Sequence, residues 1–280
     1  MQRRRASRFM FCFCLLATAI ACVGASVARA QEKQGWVERV AAGLDRVVAT
    51  DATIEKVAAG FGFTEGPVWD TRTSALFFSD LPGNVIYRYT PADKKAAVFM
   101  YRAGFQGPDL WRWGGMNDNG RDEKDPRFEQ FAMLGPDGLA IDRSGRLILC
   151  TFAGRSIDRI EKDGRRTVLA DRYEGKRFNG TNDVVVRRDG SIYFSDTFGG
   201  LRQRDKDPRK ELPYNAIFRW KDGKLTLLVA DMPRTNGLAF SPDEKLLYLN
   251  GSTEQLRTGV RRVGRRNACK PSHVHRLQRI

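Results

Sequence analysis

The chain has 280 residues, 41% hydrophobic and 29% charged, enough to bury a sizeable core in one large domain or two small ones. A mean hydropathy of −0.46 excludes a polytopic membrane protein, and 10% aromatic residues argue against wholesale disorder. The net charge of +15 sits at the two ends: five Arg in residues 1–30, eight basic residues in 256–280 and no acid in either, leaving 35 basic against 33 acidic residues between them. The body therefore has no basic surplus to direct at nucleic acid.

Arg3, Arg4, Arg5 and Arg8 precede an apolar run over residues 9–27, and Ala28-Arg29-Ala30 puts small residues before Gln31. This predicts a signal peptide over residues 1–30 and an exported protein, periplasmic or secreted, with no stable membrane anchor after cleavage. A retained anchor needs ~20 apolar residues, for which the run is marginal. Cys12, Cys14 and Cys22 leave with the signal, and Cys150 and Cys269 remain, with no C-x-x-C pair to support structural zinc. Cys150 ends the apolar run Leu147-Ile148-Leu149-Cys150 and reads as a small packed hydrophobe. Within residues 31–60, Trp36, Val40 and Leu44 are helically spaced. They predict a short helix over 34–48, packed on the outside of the main domain, then an outer strand over 53–61.

The body repeats. Glu65-Gly66-Pro67-Val68-Trp69, Asp137-Gly138-Leu139-Ala140-Ile141, Asn182-Asp183-Val184-Val185-Val186 and Asn236-Gly237-Leu238-Ala239-Phe240 each lead through a polar turn into a second apolar run. Those runs are Leu76-Phe77-Phe78, Leu147-Ile148-Leu149, Ile192-Tyr193-Phe194 and Leu246-Leu247-Tyr248. Two short apolar runs joined by Asp/Gly/Pro turns make a hairpin. Two more strands complete each of the first three units: 85–89 with 96–101, 156–160 with 166–170, and 216–220 with 225–230. Asp137 and Asn182 are 45 residues apart, and Asn182 and Asn236 are 54 apart, near the roughly 40–50 of a propeller blade. The fold class is all-β, a β-propeller. Residues 61–255 hold about three and a half blades, and an insertion over 103–131 carries Trp111 and Trp113 as a candidate lid.

The first residue of each repeat is Glu65, Asp137, Asn182 or Asn236. Each carries a side-chain oxygen at the start of an innermost strand, where a propeller brings such positions to one mouth of its channel. Oxygen ligands without His or Cys suit Ca²⁺, with Mg²⁺ or Mn²⁺ as alternatives. Spacing alone leaves a second reading open: Asn, Asp and Gly recur because each blade needs tight turn chemistry at its start.

Together these motifs, with Thr64 before Glu65, Gly135-Pro136 before Asp137, Asp189-Gly190 after Asn182-Asp183 and Ser241-Pro242-Asp243 after Asn236, resemble the gluconolactonase family that includes regucalcin. The resemblance spans roughly residues 50–255. It implies a six-bladed propeller with one divalent cation, Ca²⁺ first and Mg²⁺, Mn²⁺ or Zn²⁺ as alternatives, hydrolysing a small sugar or related lactone. It further implies Glu65, Asn182 and Asn236 as metal ligands, and Asp137 with Asn182 facing substrate. The family's acid/base Asp belongs to a later blade and has no counterpart in the sequence, so the catalytic residue is unassigned.

Residues 256–280 shift abruptly to Arg-rich sequence with no period of 2 or 3.6. They read as a basic tail unlike the family, of the kind a shifted or truncated reading frame leaves, and predict impaired activity. The alternative function is a non-enzymatic propeller that binds a ligand or partner protein; oligomeric state is not legible. Both histidines, His273 and His275, lie in that tail, which excludes a Ser-His-Asp triad in the body.

Overall fold

The computed structural model describes residues 35–109, 112–251 and 259–263; the signal peptide, Trp111 and both histidines lie outside them. The chain divides into two units, Met1–Lys56 and Val57–Ile280.

The second unit is all-β. Strands β1 (Thr64–Asp70), β2 (Ala75–Asp80), β3 (Val85–Thr90) and β4 (Lys95–Tyr101) form a four-stranded antiparallel meander. The hairpin β5 (Met116–Asp118) and β6 (Gln130–Ala132) follows within the insertion. The second blade is β7 (Leu139–Ile141), β8 (Leu147–Cys150), β9 (Ile157–Ile160) and β10 (Arg166–Ala170). A small hairpin, β11 (Arg172–Tyr173) and β12 (Lys176–Arg177), leads to the third: β13 (Thr181–Val186), β14 (Ile192–Asp196), β15 (Ala216–Lys221) and β16 (Lys224–Val229). The fourth sheet has three described strands, β17 (Thr235–Phe240), β18 (Leu247–Gly251) and β19 (Gly259–Val263). The first hairpin of each blade turns on an aspartate. Asp70, Asp142, Asp189 and Asp243 each accept a backbone N–H two residues on, at 3.1, 2.9, 2.9 and 3.1 Å, the Asx turn that stabilises a tight reversal.

The core lies between blades. Phe77 and Ile86 of the first pack with Leu147 and Leu149 of the second. Ile148 and Cys150 point the other way, to Phe194 and Phe218 of the third, whose Ile217 and Val229 meet Leu238 and Leu249 of the fourth. Strand β8 is therefore buried on both faces, so it reads as an unbroken apolar run rather than an alternation. Cys150 is buried and unpaired, as its apolar setting predicts.

The first unit differs from its expectation. Among its described residues the only helix is a five-residue 3-10 turn, Ala42–Arg46, and Trp36 and Val40 are 83% and 71% exposed. A helix this short is marginal without packing of its apolar face, and Arg39 takes up the carbonyls of Val48 and Ala49. Residues 53–61 form no strand. Phe61 instead sets its ring against Phe78 and Tyr87, at centroid distances of 5.0 and 4.8 Å. Strand β19 lies inside the segment expected to be an unrelated tail. Its backbone pairs with β18 from Leu247↔Val263 to Gly251↔Gly259, and a ladder needs backbone groups rather than an apolar pattern.

Candidate functional site

Glu65, Asp137, Asn182 and Asn236, read from four different repeats, line one cavity of about 620 Å³ at the centre of the sheets. The rest of its lining includes the apolar Val68, Leu139, Ile141, Val184 and Leu238. The strands place the polar residues by a shared device. The register of β1 against β2 slips between Glu65 and Val68. That of β13 slips between Thr181 and Val184, and that of β17 between Thr235 and Leu238. Asp137 and Gly138 precede β7. In β13 and β17 the slip releases Asn182 and Asn236 from the ladder and re-aims their side chains, whereas Glu65 still pairs with Ser79 at the edge of its slip. The two readings of the motifs thus merge: the Gly, Asn and Asp chemistry that makes the irregularity also delivers the oxygen.

After Glu65 and Asp137, glycine is a packing requirement. Gly66 has φ +56°, and a Cβ there would lie 2.3 Å from the Asp137 carbonyl oxygen. A Cβ on Gly138 would lie 2.6 Å from Asp183 Cα. Gly66→Ala is expected to cost about 2–4 kcal/mol, from a left-handed alanine plus a clash with backbone that cannot rotate away. A melting temperature unchanged in Gly66→Ala would contradict this packing.

Hydrogen bonds tie the inner strands together. The Ser79 hydroxyl donates to the Asp137 carbonyl at 2.7 Å, and Gly138 N–H donates to the Asn182 carbonyl at 2.6 Å. The Asn182 side-chain amide donates to the Asp137 carboxylate. Its nitrogen is committed there, which leaves its Oδ1 as the atom free for a ligand.

The electrostatics are strained. Burial, then the charges of Glu65 and Asp183, push the Asp137 carboxyl well above the ordinary range, against the opposing bond from Asn182. Glu65, the most exposed of the four, is raised by desolvation at the cavity wall and by Asp183. Asp183 is raised by burial, against N–H bonds from Leu238 and Val184. Asp183 also lines the cavity and was not among the residues singled out from sequence. Asp183 raises the proton affinity of Glu65 and of Asp137, and Glu65 raises that of Asp137. The lining offers oxygen atoms and no imidazole or thiolate, a character that suits a hard cation better than Zn²⁺. Among the described residues no three His, Cys, Asp or Glu groups could hold a metal by themselves, so the Asn oxygens must complete any such set.

Of the insertion expected as a lid, Trp111 lies outside the described residues, and none of its described residues lines the cavity. Trp113 packs on Phe105 at 5.2 Å, with the Arg209 guanidinium 4.3 Å from its ring centroid. It borders a separate pocket of about 280 Å³ with Pro108 and Arg177. Arg209, on the β14–β15 connection, draws the insertion to that side and also donates to the Arg112 carbonyl at 3.1 Å.

Residues 63–263 match the family model described as the SMP-30/Gluconolactonase/LRE-like region. A gluconolactonase from Zymomonas mobilis is 33% identical over 220 residues, 78% of this chain and 57% of that protein. The chain thus spans little more than half the length of this curated relative. A solved gluconolactonase from Xanthomonas campestris superposes with a TM-score of 0.61 at 27% identity, covering 80% of this chain and 65% of the other. A calcium-binding regucalcin from Agrobacterium tumefaciens superposes with a TM-score of 0.51 at 15% identity over 78% and 60% of the two chains, a likeness of fold alone.

Proposed function

The chain belongs to the SMP-30/gluconolactonase family, and on that premise we propose that its channel is a metal-dependent site for hydrolysing a small sugar or related lactone. The observation that carries this reading is the convergence of Glu65, Asp137, Asn182 and Asn236 on one oxygen-lined cavity. Glu65, Asn182 and Asn236 would hold the cation, Ca²⁺ by the character of the donors. Asp137 would orient the lactone, with the Asn182 amide nitrogen holding the Asp137 carboxylate in place and the Asn182 Oδ1 shared between cation and substrate. A bound divalent cation supplies Lewis-acid polarisation of the lactone carbonyl. The apolar residues of the lining would limit water around a bound ring, which strengthens the polar contacts beside them. Turnover is expected to be low. With Trp69 and Tyr101 of the first blade 46% and 72% exposed, that blade's packing is incomplete, and Glu65 stands on its exposed inner strand.

The test is hydrolysis of gluconolactone above the buffer rate, with Ca²⁺ or EDTA, in the chain and in Glu65→Gln. We expect a metal-dependent rate that Glu65→Gln lowers on the order of 100-fold. A rate equal to buffer, both here and in longer relatives sharing this body, would remove the lactone reading. A second reading, a propeller that binds a ligand without chemistry, is favoured by the lack of three convergent ionisable ligands among the described residues. It predicts no Ca²⁺ binding and unchanged ligand binding in Glu65→Ala. From residues 1–30 we also propose export, periplasmic or secreted; a tagged chain found uncleaved in the cytoplasm would refute it.

A further inference from the structure

Asp183 stands where the other three repeats have glycine: Gly66, Gly138 and Gly237. Between the first and second blades, and the second and third, those glycines let the inner strands approach backbone to backbone, with no room for a Cβ. Between the third and fourth blades a side chain fills the gap instead. Asp183 Oδ2 accepts the Leu238 N–H at 3.0 Å, and Oδ1 accepts the N–H of Val184 at 2.8 Å, which fixes the carboxylate. Asp183 N–H donates to Ser195 Oγ at 3.0 Å, and the Ser195 hydroxyl donates to the Asn236 carbonyl at 2.6 Å. The pair therefore grips the fourth inner strand on both sides of Gly237.

We propose that Asp183 is a positioning residue: with Ser195 it sets the separation and orientation of Asn182 and Asn236 across the third blade junction. Ser79 makes the matching bond to the Asp137 carbonyl at the first junction, where Gly66 leaves no gap for a carboxylate to span. The proposal rests on the reading of the channel as an oxygen-donor cation site. Its partners are backbone groups, so an amide that keeps its one acceptor toward Leu238 still holds the fourth inner strand, giving up only the local Val184 contact, whereas alanine holds neither.

The experiment uses the full chain with Asp183→Ala, Asp183→Asn and Ser195→Ala, read by hydrogen exchange over residues 235–240 and by calorimetric titration with Ca²⁺. Asp183→Ala should speed exchange at Leu238 and weaken Ca²⁺ about tenfold, the range for partners that orient ligands. Asp183→Asn should stay within about threefold of the parent. Equal weakening in both variants would mean that Asp183 acts through its charge, and the positioning role would be overturned. Unchanged exchange at Leu238 in Asp183→Ala would overturn it as well. If the parent binds no Ca²⁺, the cation reading fails, and the exchange comparison still decides this proposal. Should Asp183→Ala not fold, Ser195→Ala carries the test: faster exchange across 235–240 supports the grip, and exchange equal to the parent's overturns it.

Discussion

Phe194→Ala is expected to lower stability by about 3–5 kcal/mol, the cost of emptying a large aromatic site that cannot collapse. Phe194 is fully buried. Its ring lies 5.3 Å from that of Phe178 and 5.5 Å from that of Phe218, and the cluster includes Ile148 and Cys150 of the second blade. The cavity would thus open at the junction that also carries Asp137 and Asn182 on its channel side. Against a typical total of about 5–15 kcal/mol, this is enough to leave much of the chain unfolded at 37 °C. Urea denaturation of the variant beside Tyr101→Ala checks it. Tyr101 is 72% exposed, and its truncation should change stability by less than about 0.5 kcal/mol. Similar losses in the two variants would mean that blade-to-blade packing does not hold this fold.

The repeats were legible because each blade needs the same local chemistry. An Asx turn, a short inner strand and an apolar second strand leave the same letters at Asp70, Asp142, Asp189 and Asp243. Four channel residues could be read off for the same reason, since the bulge that exposes the oxygen demands Gly, Asn or Asp beside it. Asp183 escaped because its role lies across a blade junction, and its signal is a departure from the repeat rather than a match. Ser79 and Ser195 carried a plainer signal, the repeated Phe78-Ser79-Asp80 and Phe194-Ser195-Asp196, whose meaning appears only when neighbouring blades are in place. The N-terminal helix failed because three spaced apolar residues do not make a helix without a surface to bury them. The insertion was legible as an insertion, but which neighbour would capture Trp113 depended on Arg209, 96 positions away. Strand β19 was hidden because its pairing is made by backbone.

The aspartates of those repeated triplets lead to the second large effect, a loss of stability on going from pH 5 to pH 8 to which Asp196 contributes beside the raised channel carboxyls of Asp137, Asp183 and Glu65. Asp196 is fully buried and accepts the N–H groups of Asn179 and Gly180 at 2.9 and 2.7 Å, holding the segment that enters the third inner strand. Burial outweighs these bonds and the more distant Arg155 and Lys210, pushing its carboxyl up to about 7. Because the folded chain binds this proton more tightly than the unfolded chain, stability is greatest below the unfolded value of 3.8 and falls until the pH passes about 7. Each pH unit inside that window costs about 1.4 kcal/mol, so pH 5 to pH 8 removes about 2–3 kcal/mol through this group. Asp196→Asn cannot titrate, yet it leaves one of the two N–H groups facing an amide nitrogen. It should therefore be clearly less stable than the parent at pH 5, with the gap narrowing or reversing at pH 8. Urea midpoints of both proteins at the two pH values decide the matter. Parallel pH dependence would mean that Asp196 stays ionised in the fold, held by its two backbone donors, and that any alkaline loss arises elsewhere.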